Sequence, residues 1–141
     1  MPLRNELSAE DISRVREGFD RVWPVSDRMV ELFYEQLFTE RPELRALFRG
    51  DMAEQKRKFI STLAAIIAHL DDREARFAIT GTLGRHHVEY GVSPDHYIVL
   101  RGAMLHTLAR TLGAAWTAEA AGAWGRAYDF VAAEMIEAAS V

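Results

Sequence analysis

Leu83-Gly84-Arg85-His86-His87, then Tyr90-Gly91-Val92 and Ser93-Pro94-Asp95-His96-Tyr97, is the stretch on which the fold turns. Its first half has helical periodicity and ends at Gly91, a residue suited to the left-handed conformation that closes a helix. Ser93 followed by Pro94 then reads as an N-cap and the first position of a new helix. His87 stands four residues after Leu83 and five before Val92, just before the break. It is a polar side chain at the end of a helix, beside a corner.

Outward from this corner the pattern stays helical, and no window alternates as a strand does. Ser8 and Asp11 read as a capping box before the stripe Ile12, Val15, Phe19 and Val22. Pro24 ends or kinks that helix, and a second runs from about Ser26 to Thr39 with Val30, Phe33, Tyr34, Leu37 and Phe38 on one face. Pro42 opens a short helix to about Phe48, broken at Gly50. Met52, Gln55, Phe59, Leu63, Ile66, Ile67 and Leu70 form a longer stripe, interrupted at Asp71-Asp72. Helix then continues to Tyr90 with a soft break expected at Gly81. After Pro94 come Tyr97, Leu100, Met104 and Leu108, up to Gly113. Thr117 caps a last helix with Trp124, Ala127, Tyr128, Val131 and Met135. The expected class is therefore all-α, with six or seven helices of unequal length in a crossed-helix fold rather than a symmetric bundle.

The 141 residues suit one domain, read as spanning 1–141, and a chain that is 49% hydrophobic with seven Phe, four Tyr and three Trp can build a core. The net charge of −4 is spread along the chain, which argues against nucleic acid as a partner. The absence of cysteine excludes disulfides, thiolate metal sites and thioether attachment of a cofactor. No apolar run reaches the ~20 residues that cross a bilayer. Residues Met1 to Glu6 lack the apolar segment of a secretory signal, so a soluble cytoplasmic protein without a membrane partner is expected.

Three polar residues interrupt apolar stripes: His87, Tyr34 and Gln55. Each has an ordinary reading. His87 is a surface or hydrogen-bonded helix residue, or a metal ligand. Tyr34 is a buried phenol that needs one partner for its hydroxyl. Gln55 lies in a first helical turn, where solvent exposure is normal. From the residues alone, the reading stops at a soluble helical domain.

Taken in order, four stretches resemble the bacterial globins, specifically the globin domain of flavohaemoglobins and their single-domain relatives. They are Leu32-Phe33-Tyr34 leading to Leu37-Phe38, Arg41-Pro42-Glu43-Leu44 leading to Leu47-Phe48, the His87 stretch quoted above, and Ala123-Trp124-Gly125-Arg126-Ala127-Tyr128. The resemblance covers about Leu7 to Glu137. It implies a globin fold of six to eight crossed helices around a pocket for one haem b, with His87 as the proximal ligand to iron. His86, ~100° away around the helix, faces elsewhere. It implies Phe48, Phe59, Leu83 and Val92 as apolar contacts to the haem, and Lys58 near a propionate. Tyr97 falls where the family places a tyrosine beside the proximal histidine. The glutamate that completes that network in relatives is replaced by Ala139, with Glu134 and Glu137 near but on other faces.

On the distal side, Tyr34 and Gln55 match the family's tyrosine–glutamine pair, which stabilises bound O2 by hydrogen bonding from a dry pocket. No histidine occupies the glutamine position, so a bis-histidine iron is not expected. Phe59 departs from the smaller aliphatic residue usual there. It should narrow the pocket, slow ligand entry, or push Tyr34 or Gln55 aside. The implied function is reversible binding of O2, CO and NO, with nitric oxide dioxygenation if a separate reductase supplies electrons, since the chain ends with the globin domain. In that activity Tyr34, Gln55 and Tyr97 are the candidate catalytic residues. A haem-based gas or redox sensor acting through a partner is the alternative, and a haem-free helical binding module is a third. The expected assembly is a monomer or homodimer.

Overall fold

The computed structural model describes residues 7–140; Met1 to Glu6, read above for a secretory signal, lie outside the described residues. Six α-helices follow one another: α1 (Ala9–Val22), α2 (Ser26–Glu40), α3 (Met52–Ala68), α4 (Arg73–Glu89), α5 (Pro94–Leu112) and α6 (Ala118–Ala139). Short 3-10 turns at Trp23–Val25, Pro42–Leu47 and Gly113–Ala115 link three of the junctions. Two of them contain the early prolines, whose fixed φ and missing N–H suit a tight turn at a helix boundary.

The helix starts are set by side chains that take up the first free N–H groups. Ser8 accepts from Asp11 N, Asp51 from Ala53 N, Asp72 from Ala75 N and Thr117 from Ala120 N. Two sequence expectations need correction. The box at Ser8 is half formed, because the Asp11 carboxylate turns to Arg126, accepting from Nε and Nη2 at 2.8 Å each. The break at Gly81 does not occur: α4 is continuous, and Gly81 is buried within it. An interior glycine costs a helix only about 1 kcal/mol relative to alanine, which packing readily offsets.

The core runs through the apolar stripes of all six helices, with Val15, Val22, Met29, Phe33, Leu37, Ala103, Leu108 and Ala123 nearly or fully sealed. Helix α6 is the centre of the packing: its most extensive contact is with α4, then with α1, while α2 lies against α5 and α3. Two glycines permit these approaches. A Cβ on Gly84 of α4 would overlap the Met135 backbone of α6, and one on Gly18 of α1 would lie 2.8 Å from the Trp124 indole nitrogen. Among the described residues, no helix is long and apolar enough to cross a membrane.

Candidate functional site

The corner after α4 holds His87 from three directions. Tyr90 ends the helix and Gly91 follows with φ of 90°, the left-handed region that favours glycine. Val92 N–H then donates to the His87 carbonyl at 2.9 Å and Gly91 N–H to the Val88 carbonyl at 3.0 Å, the paired bonds of a Schellman closure. The side chain is pinned as well: Nδ1 lies 2.7 Å from the Leu83 carbonyl oxygen one turn back. A carbonyl only accepts, so Nδ1 carries the proton and the Nε2 lone pair is left available. The Tyr97 ring lies alongside the imidazole, nearly parallel, with centroids 6.2 Å apart and planes 28° apart.

Burial lowers the His87 pKa, and neighbouring His86 lowers it further against the opposing pull of the Leu83 carbonyl. The imidazole is therefore neutral at neutral pH, the form that ligates a metal. His86 is exposed instead, its ring 6.4 Å from that of Tyr90. Leu83 and Val92 are half-buried at the same corner. Tyr97 is buried, and its backbone oxygen accepts from the Tyr128 hydroxyl at 2.6 Å, which ties the start of α5 to α6.

A second group of site candidates gathers where α2 meets α3. Tyr34 is 3% exposed, and Gln55 Nε2 donates to its hydroxyl oxygen at 3.3 Å. Burial raises the phenol pKa, with Gln55 opposing, so the hydroxyl keeps its proton. Around it stand Phe48, edge-on at 5.4 Å, Phe38 at 5.8 Å and Phe59 at 5.8 Å. Phe59 itself stacks on Phe33 at 4.8 Å and 23°. Its extra bulk is thus taken up against Phe33, and Tyr34 and Gln55 remain in contact. Lys58 is exposed on α3 next to Phe59.

The structure therefore brings Tyr34, Gln55, Phe48 and Phe59 into one cluster and His87, Leu83, Val92 and Tyr97 into another. Two further parts were not anticipated from the sequence. Arg76, 1% exposed, is bound by Glu134 across the α4–α6 contact. His96, three residues into the corner after Ser93, accepts from Ser93 N–H through Nδ1 at 3.0 Å, where a capping box ordinarily has Glu or Gln. A charged residue inside the Val131/Met135 stripe marks Glu134 as unusual but not its partner; the second had no signal.

The globin family model matches residues 31–135. An uncharacterised globin-like protein of Aquifex aeolicus is 28% identical over 92% of this chain and 92% of its own length. Flavohemoproteins of Vibrio cholerae and Deinococcus radiodurans are 25% and 31% identical, over 93% and 78% of this chain but only 34% and 28% of their own lengths. The chain thus spans about a third of the flavohemoproteins it matches. It belongs to the globin family, and the six α-helices of the described residues form the all-α globin fold.

The residues fit a haem. Among the described residues no group of three or more His, Cys, Asp or Glu could hold a bare ion. The His87 corner offers one neutral nitrogen donor with its other nitrogen fixed. Such a single donor suits a metal that brings its remaining ligands in a macrocycle, and half-buried apolar side chains nearby suit the macrocycle's faces.

Proposed function

We propose that this chain is a haem b protein that reversibly binds O2, CO and NO, with nitric oxide dioxygenation when a separate reductase supplies electrons. The observation that carries the reading is His87: a half-buried, neutral imidazole whose Nδ1–H is committed to the Leu83 carbonyl and whose Nε2 is left as a donor. The family assignment and the flavohemoprotein relatives support the cofactor. Residues 1–141 act as one domain, in the cytoplasm.

Bound haem supplies the iron that takes the gas ligand and exchanges an electron. His87 would hold that iron through Nε2. Phe48, Phe59, Leu83 and Val92 would wall the macrocycle, and Lys58 would meet a propionate at the surface. Tyr34 is the ligand's donor: Gln55 N–H occupies a lone pair of its oxygen, so the phenolic proton is free to point at a partly negative oxygen atom. The surrounding rings keep water from that proton, which strengthens the bond it makes. Tyr97 positions the His87 ring by packing.

Absorption spectra of the purified, haem-reconstituted protein test the cofactor. A five-coordinate ferrous form with a normal histidine–CO spectrum is expected, and no Soret band after reconstitution refutes the reading. Mixing the oxygenated form with NO in a stopped-flow instrument tests the dioxygenase step, which is refuted if no fast oxidation follows.

A further inference from the structure

We propose that Arg76 and Glu134, with Thr80, form a positioning clamp that fixes the rotation of α4 and thereby aims the Nε2 atom of His87. The inference rests on the haem-ligand reading of His87 for its functional meaning, and on the α4–α6 geometry for its substance.

The clamp uses nearly every polar atom it contains. Arg76 Nε donates to both carboxylate oxygens of Glu134 at 3.1 Å, and Nη2 donates to Oε2 at 2.8 Å. Nη1 donates to the Leu70 carbonyl at 2.7 Å, in the turn that ends α3. The Thr80 hydroxyl donates to Glu134 Oε1 at 3.1 Å, and the guanidinium lies over the Phe130 ring at 4.5 Å. One buried cation thus joins α3, α4 and α6.

A pair of this kind is poor evidence for extra stability, because removing two charges from water costs about what their attraction returns. It is good evidence for register, since any other alignment leaves a charge buried without its partner. The register it fixes is that of His87. At ~100° per residue, Arg76, Thr80 and Gly84 lie within ~80° of one another around α4, and His87, 11 positions after Arg76, returns to within ~20° of it. The face clamped to α6 is the face that carries the imidazole, some 16 Å along the axis. Gly84 lies between them and touches the Met135 backbone, which prevents the helix from rolling aside. With a helix radius of ~5–6 Å, a roll of only 10° moves the ring by ~1 Å. That is enough to strain a coordinate bond.

The test compares Glu134→Gln and Thr80→Val with the parent and with Asp11→Asn, which weakens the separate α1–α6 ion pair. Amide hydrogen exchange is measured on the purified protein as isolated, and the iron–histidine stretching band is measured by resonance Raman on the ferrous, haem-loaded protein. Exchange across residues 83–92 is expected to quicken by more than about tenfold in both clamp variants relative to Asp11→Asn at the same loss of Tm. Their iron–histidine band is expected to shift or split. Equal exchange at matched Tm, with an unmoved band, overturns the clamp and leaves a merely structural pair. Should Glu134→Gln not fold, Thr80→Val, which removes one hydrogen bond, decides the question alone. A parent without any haem spectrum refutes the haem reading instead, and the exchange comparison still judges the clamp.

Discussion

Replacing Tyr34 with phenylalanine isolates one atom. The ring stays wedged among Phe33, Phe38, Phe48 and Phe59, so the aromatic cluster keeps its packing. Inside the protein only the 3.3 Å bond from Gln55 is lost, and the half-buried Gln55 amide can turn toward solvent for another partner. The stability cost is then at most about 1 kcal/mol, or a few degrees in Tm for a chain of this size. The ligand loses more. A hydrogen bond to a partly charged oxygen in a dry site is worth about 1.5–3 kcal/mol, so O2 should leave the Tyr34→Phe protein about 10- to 150-fold faster. CO carries little charge on its outer atom, and its dissociation should change by less than about tenfold. Stopped-flow ligand replacement measures both rates on one sample. If O2 and CO dissociation change by the same factor, or O2 dissociation does not change, Tyr34 is packing and not the donor.

His87→Ala should lose haem on gel filtration while His86→Ala keeps it, read from the Soret absorbance of the protein peak; the opposite result places the ligand one residue earlier. Gly84→Ala should lower Tm by roughly 3–10 °C, because overpacking costs about 1–3 kcal/mol and outweighs the gain in helix propensity; a raised Tm refutes the close approach to Met135. Because burial depresses the His87 pKa, the folded chain binds fewer protons there than the unfolded chain, so the stabilisation is complete above the ordinary value of 6.5 and is lost as pH falls below it. Acidification should therefore destabilise the haem-free protein and release haem, as protons compete for Nε2; a melting temperature that rises from pH 6.5 to 5 contradicts this.

Much of the fold was legible because helix boundaries are local chemistry. Ser8 and Thr117 cap the helices expected of them, Pro24 and Pro42 fall in short turns, and Gly91 supplies the positive φ that ends α4. The site candidates were legible for a related reason. A tyrosine or histidine on an apolar stripe stands out at a spacing of three or four. Gly81 misled because propensity is a small term inside a helix whose neighbours Arg76, Thr80 and Gly84 are held against α6. The Arg76–Glu134 pair was hidden because its members are 58 residues apart, and a single charge in sequence gives no sign of a partner on another helix. In sequence, Glu134 reads only as a carboxylate near the place where relatives have one.

That reading bears on the chemistry of the proposed haem pocket. A proximal imidazole whose Nδ1–H bonds to a carboxylate gains negative character and pushes electron density toward the iron; one bonded to a carbonyl gains less. His87 bonds to the Leu83 carbonyl. Glu134, a half-buried carboxylate on α6, is taken up by three guanidinium contacts and the Thr80 hydroxyl. Glu137 is exposed at the end of α6. The His87 Nδ1–H thus keeps a carbonyl partner, while Glu134 is committed to Arg76 and Thr80. In such a pocket the ligand's charge is stabilised mainly from the Tyr34 side, by a donor that burial keeps protonated. The proximal side contributes position, and the distal side contributes polarity. This division favours holding a gas ligand over splitting its bond.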